Sequence, residues 1–137
     1  MYHMFIKSII KIALVVATWN VAAALPARAS ELIMFEQAGC TYCQRWDREV
    51  GSLYEKTAEA HMLPLRRLHI REQSQAGIAL TAPVRYTPTF VIVDNGREVG
   101  RITGYINDDA FWGLLGTYVT KIAPEFQRSK LERSSKI

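Results

Sequence analysis

In 137 residues the chain has only two cysteines, Cys40 and Cys43, and three histidines. Two cysteines cannot build a disulfide-dense scaffold, and a structural zinc site wants four ligands. Beyond the first thirty residues only His61 and His69 remain, and neither stands at a zinc-finger spacing from the cysteines. Both read as ordinary surface residues. No methionine lies two residues before Cys40, which weakens a copper-carrier reading. Charge of one sign is also scarce. There are 17 basic and 13 acidic residues, and Lys7, Lys11 and Arg28 crowd into one N-terminal stretch without an acid. Without that stretch the net charge falls from +4 to +1. Nothing in the composition points to nucleic acid. No repeat and no second domain are visible.

What is present begins at the N-terminus. "MYHMFIK" is a short start, "IIKIALVVATWNVAAAL" an apolar run broken by Lys11 and Asn20, and Ala27-Arg28-Ala29 an A-x-A cleavage pattern. This is the layout of a cleaved secretory signal peptide over residues 1–29. The rival reading is an N-terminal membrane anchor, but the run is shorter than the roughly 20 residues a span needs. Export would place the mature chain in an oxidising compartment such as the periplasm, where disulfides persist.

The mature chain reads as one domain over 30–124 with a polar, basic tail, 125–137, expected to be disordered. "ELIMFE" (31–36) is a short buried strand that Gly39 breaks. A helix fits 41–60, because Cys43, Trp46, Val50, Leu53, Tyr54 and Ala58 recur at three- and four-residue spacing. "LRRLHI" (65–70) is a second strand, its charges suiting a sheet edge, and 73–82 a short weak helix or loop. "TFVIV", a "DNG" turn and "REVGRI" form a hairpin. Asn107 or Asp108 then caps a helix with an apolar stripe at Phe111, Leu114, Leu115, Tyr118, Val119 and Ile122, ended by Pro124. The order β-α-β-α-β-β-α predicts an α/β fold: one four-stranded mixed sheet with helices on both faces.

The C-x-x-C pair falls where a strand turns into a helix. Cys40 at the helix start is where unpaired N–H groups and the helix dipole favour a thiolate, the reactive form of cysteine. Cys43, nearly one turn later, falls beside it on the buried stripe and can close a Cys40–Cys43 disulfide with little backbone movement. An exposed Cys40 would be the nucleophile and Cys43 would resolve the mixed disulfide. A purely structural bridge over so short a loop would stabilise by less than the usual 2–4 kcal/mol or so, and a metal clip lacks ligands. Trp46 has two readings, core packing or the rim of the site. Pro88 opens the hairpin strand after Thr87; a trans bond is the ordinary expectation, since only about 5–6% of X–Pro bonds are cis.

Taken together, Cys40–Cys43 at the strand-helix junction, "TPT" (87–89), the "FVIVDNGREVGRITGY" hairpin and the last amphipathic helix resemble the thioredoxin superfamily over essentially the whole mature chain. The resemblance implies a thioredoxin-like fold and thiol-disulfide oxidoreductase activity without a cofactor or metal. It also implies a cis bond at Pro88, which limits metal capture, and substrate docking at Thr87. Gly39, Thr41 and Tyr42 would shape the approach. Departures stand out. Gly39 replaces the family's Trp, Thr41-Tyr42 replaces Gly-Pro, and Met34 occupies the position of a buried acid, with Glu36 nearby but displaced. The x-Tyr dipeptide with Thr before the proline is similar to bacterial periplasmic disulfide isomerases and reductases, whose dimerisation domain is absent. "MFEQAGCTYCQRWDREVGSLYEKT", "LPLRRL" and "GYINDDAFWGLL" are more narrowly similar to the small periplasmic thioredoxin-like proteins encoded with sulfur-oxidation (Sox) systems. That likeness implies a reductase of client proteins with disulfides or oxidised thiols, and a monomer is expected. Its partners would be a Sox carrier protein of thiosulfate oxidation and a membrane electron donor. The alternatives are a disulfide oxidase or isomerase, or a non-catalytic metal- or protein-binding module.

Overall fold

The structure, a computed structural model, describes residues 30–135; the leader expected over 1–29 lies outside the described residues. Four strands form one sheet in the order β2-β1-β3-β4: β1 (Glu31–Glu36), β2 (Leu65–His69), β3 (Thr89–Asp94) and β4 (Arg97–Thr103). β2 runs parallel to β1, while β3 pairs antiparallel with both β1 and β4. The charged strand β2 lies at an edge, as its composition predicts. β1 is central, and Leu32, Ile33, Met34 and Phe35 are all fully buried.

Side chains alternate across the strands, so β1 and β3 feed two cores. Leu32, Met34, Phe90 and Ile92 face one side with Trp46, Val50, Tyr54, Phe111 and Leu115. Here Trp46 lies 5.1 Å from Phe90 and 5.6 Å from Phe111, centroid to centroid. Burying each such ring is worth roughly 1.5–3 kcal/mol. Ile33, Phe35, Val91 and Val93 face the other side with Ala76 and Val84. A six-residue 3-10 helix, Ile70–Gln75, and the irregular strap 76–88 cover this second face. The predicted mixed sheet with helices on both faces is therefore present, its second face carrying only a short helix.

The helix expected over 41–60 is segmented. It runs as α1 (Thr41–Trp46), a π-helical stretch Asp47–Gly51 and α2 (Ser52–Tyr54), and after a turn α3 (Ala58–Met62) follows. The π stretch lengthens the period, so Trp46, Val50 and Tyr54 recur in steps of four. Leu53, expected on the stripe, is 56% exposed, and Ala58 is also exposed. The hairpin turn is as predicted: Asn95 (φ 51°) and Gly96 (φ 75°) take the two left-handed positions of a two-residue turn. Asn107 caps α4 (Asp108–Ile122), its Oδ1 accepting from the Ala110 N–H at 2.8 Å. Leu114, expected to be buried, is 47% exposed. Within the tail expected to be disordered, residues 125–134 are helical. Pro124 does not merely end α4; after a break at Ala123 it opens α5 (Pro124–Ser134). Proline suits a first helical turn, and Lys130, Leu131, Glu132 and Arg133 are good helix formers.

Candidate active site

Gly39 takes φ +75°, a left-handed conformation that glycine reaches without steric cost, and turns the chain from β1 into α1. Cys40 then sits at the N-cap with an extended backbone. Its sulfur accepts from the Cys43 N–H at 3.1 Å, and its carbonyl accepts from Gln44 N–H at 3.1 Å. The two sulfurs are bonded at 2.05 Å, with Cα atoms 5.2 Å apart. Cys40 is 8% exposed and Cys43 4%. In this disulfide form Cys40 is not the exposed residue the sequence suggests, because the bridge folds its side chain over the helix start. It remains the more accessible of the two. Thr41 and Tyr42 project outward, Tyr42 at 57% exposure.

The Thr87–Pro88 bond is cis. Phe35 pairs with Thr89, so continuing the register sets Pro88 level with Glu36, the last residue of β1, and Thr87 just beyond it, where the chain turns towards Cys40. Pro88 is buried and Thr87 half-buried. The Pro88 carbonyl accepts from the Gly104 N–H at 2.7 Å, which ties the loop after β4 to this segment.

Two clefts flank the site. One, of about 320 Å³, is lined by Glu36, Gly39, Cys40, Cys43, Asp47 and His69 among others. Arg67 donates to both Glu36 and Asp47, bridging β1, β2 and the helix, and the two carboxylates hold its guanidinium firmly charged. Glu36 is thus committed to an ion pair, while Met34, in the position of the family's acid, is fully buried. His69 is no idle surface residue. Its Nδ1 accepts from the Arg71 N–H at 3.1 Å and caps the 3-10 helix. His61 is exposed.

The second cleft, of about 420 Å³, is lined by Tyr42, Arg45, Thr103, Gly104, Tyr105 and Ile106. Behind it the Tyr105 hydroxyl donates to Glu49 Oε2 at 2.6 Å, and Arg45 Nε donates to Glu49 Oε1 at 2.9 Å. These two bonds hold the Glu49 carboxyl below its ordinary range. Burial, and then the Glu49 bond, push the Tyr105 hydroxyl up. The Arg45–Glu49 spacing of four is visible in sequence; Tyr105, 56 residues on, carries no sequence signal for it. A further surface groove, about 550 Å³ against α4 and lined by Trp112, Gly113 and Gly116 among others, shares no residue with either cleft. Trp46 is fully buried core, its indole N–H without a hydrogen-bond partner among the described residues. Among the described residues no three His, Cys, Asp or Glu side chains gather as a metal site, and no helix is long and apolar enough to cross a membrane.

A redox-active disulfide capping a helix on a four-stranded sheet, near a cis-proline, defines a class, and the sequence agrees: residues 20–118 match the thioredoxin-like domain, and the chain belongs to that family. It is a thiol-disulfide oxidoreductase of the thioredoxin type. Among solved structures it is similar to the periplasmic thioredoxin SoxS from Paracoccus pantotrophus, in its reduced form. The two share 41% identity over 68% of this chain and 98% of that one, with a TM-score of 0.65. The thioredoxin Mala s 13 of Malassezia sympodialis shares the fold at 16% identity, covering 66% of this chain and 78% of its own, with a TM-score of 0.52. No curated protein sequence matches the chain.

Proposed function

We propose that this protein is a periplasmic reductase of client disulfides, with Cys40 as nucleophile, Cys43 as resolving thiol and Thr87–Pro88 as the client dock. The observation that carries the reading is 41% identity to a periplasmic thioredoxin across 98% of that chain. The leader pattern of residues 1–29 supports export. In the reduced protein the Cys40 thiolate attacks one sulfur of a client disulfide. The client S–S bond breaks, and its other sulfur leaves as a thiolate that takes up a proton. Cys43 gives its proton to solvent and attacks the Cys40 sulfur, breaking the mixed disulfide and releasing the second client thiol. The client has gained two electrons and two protons; the protein is left with the Cys40–Cys43 disulfide seen here. A membrane electron donor returns two electrons and two protons. Gly39, Thr41 and Tyr42 shape the approach, and a Sox carrier protein fits as client by the likeness to SoxS.

The test pairs two variants. Dithiothreitol-driven reduction of insulin should be accelerated by the wild type and not by Cys40→Ser; equal rates would sink the enzymatic reading. Cys43→Ser expressed in periplasm should accumulate mixed disulfides whose protein partners identify the client. Absence of any trapped species would rule out the two-cysteine relay.

A further inference from the structure

The groove beside Tyr42 is built from two parts of the chain that are remote in sequence. Tyr42 and Arg45 come from α1, Thr103 from the end of β4, and Gly104 to Ile106 from the loop after it. Its rim is apolar and open, with Ile106 73% and Tyr42 57% exposed. Among the described residues the loop is tied through its main chain by the Gly104 N–H, which donates to the Pro88 carbonyl. Its tie to the cysteine-bearing helix is made by side chains. Tyr105 is only 5% exposed, with its ring edge-on to Phe111 at 6.5 Å, and its hydroxyl reaches Glu49. Arg45 closes the triangle, bonded to the same carboxylate and with its guanidinium carbon 5.7 Å from the Tyr105 ring centroid. Glu49 itself does not line the groove. One carboxylate therefore fixes a residue on each wall, its two oxygens taking one wall each.

We propose that Glu49 is a positioning residue for client recognition: through Tyr105 and Arg45 it holds the Gly104–Ile106 loop against the cysteine-bearing helix and so sets the width of the groove where a client segment lies beside Cys40. The inference rests on the disulfide-reductase reading above. A protein client must fit its chain into the groove before its sulfur meets Cys40. A small disulfide needs only the sulfur. Loosening the wall should raise the KM for a protein client and leave both its kcat and the small-molecule reaction unchanged.

The experiment uses the full chain with Glu49→Ala and Glu49→Gln. Steady-state reduction of fluorescently labelled insulin, driven by dithiothreitol, gives kcat and KM. Single-turnover reaction of the reduced protein with 5,5′-dithiobis(2-nitrobenzoate) gives the intrinsic rate of the pair. Glu49→Ala should raise the insulin KM by about three- to tenfold, the scale of one charged hydrogen-bond network. Its kcat and nitrobenzoate rate should stay within about twofold, since Glu49 touches neither sulfur. Glu49→Gln keeps an acceptor for Tyr105 and should recover part of the KM. A fall in kcat without a change in KM would overturn the proposal. So would an equal loss with both substrates, or no change with either. If the wild type reduces neither substrate, the reductase reading fails instead, and the two failures are told apart.

Discussion

Gly100 shows how one position can carry a constraint that composition hides. It lies on β4 opposite Ile92, next to a bulge in which Val99 has no partner on β3. A Cβ added to Gly100 would meet Tyr118 Cε1 at 2.2 Å and Cδ1 at 2.3 Å. The Tyr118 ring packs against the first core, and its hydroxyl donates to the Arg101 carbonyl at 3.2 Å. Gly100→Ala must therefore push this ring off the strand, which should cost about 1–3 kcal/mol, the usual range for overpacking. In a Tyr118→Ala background the same substitution should cost little, because the clash has gone. Urea denaturation of the four proteins measures the coupling. Additive costs would show that Gly100 is not there to admit Tyr118. Other single residues were legible in advance. Gly39, the "DNG" turn and the Asn107 cap each act through bonds to their own neighbours, so a short window contains their whole cause. The Cys40–Cys43 spacing is of the same kind.

Elements were less legible than residues, and for a consistent reason. The bounds of β1, β3 and β4 follow from sequence to within a residue or so, because their apolar runs are bounded by turn signals. Leu53 leaves the buried stripe because a π stretch alters helical phase without altering composition. The helix over Pro124–Ser134 has little sequence signal, because polar residues with good helix propensity resemble disorder when no core face is apparent. The strap over the second face had no sequence signature, since side chains from elsewhere hold it. Arg101 donates to the Ala82 carbonyl at 2.7 Å, Glu98 Oε2 accepts from the Thr81 N–H at 2.8 Å, and Gln73 Oε1 accepts from the Val84 N–H at 2.7 Å. Glu98 and Arg101 are also paired at 2.7 Å. Burial pushes the Glu98 carboxyl up, but the bonds from Arg101 and Thr81 outweigh it and leave it below its ordinary value. A depressed carboxyl contributes stability above its unfolded pKa, near 4.3 or so, and loses that contribution as pH falls through the folded value. Glu98→Gln should therefore be less stable than wild type at neutral pH, by about 1–2 kcal/mol. The gap should narrow as pH drops below about 4. Urea midpoints at neutral and acid pH test this. A gap that is constant with pH would mean the Glu98 charge does not secure the strap.

At the scale of the whole molecule, the direction of electron flow is a question of which redox form folds better. Oxidised and reduced, folded and unfolded protein form a closed thermodynamic cycle. If the oxidised fold is the more stable, the dithiol is pulled towards giving up its electrons, and the potential falls by about 30 mV for each 1.4 kcal/mol or so of difference. If the reduced fold is the more stable, the protein becomes an oxidant. Two features act on this balance. The helix start favours a Cys40 thiolate and so the reduced form, by roughly 0.3–1 kcal/mol. Against it, the cleft beside the cysteines carries Glu36 and Asp47, two carboxylates sharing the single guanidinium of Arg67. That surplus of negative charge disfavours a thiolate, while the disulfide carries no charge to be repelled. Closing the short loop between Cys40 and Cys43 further restricts the unfolded chain. The oxidised protein should therefore outlast the reduced one in urea, by on the order of 1 kcal/mol. Its potential should lie nearer the roughly −270 mV of a reducing thioredoxin than the roughly −120 mV of a strong oxidant. Parallel unfolding of the two forms, with dithiothreitol present in one arm, and equilibration against a glutathione buffer measure the same quantity by independent routes. Greater stability of the reduced form, by both routes, would reverse the assignment and make the protein a source of disulfides.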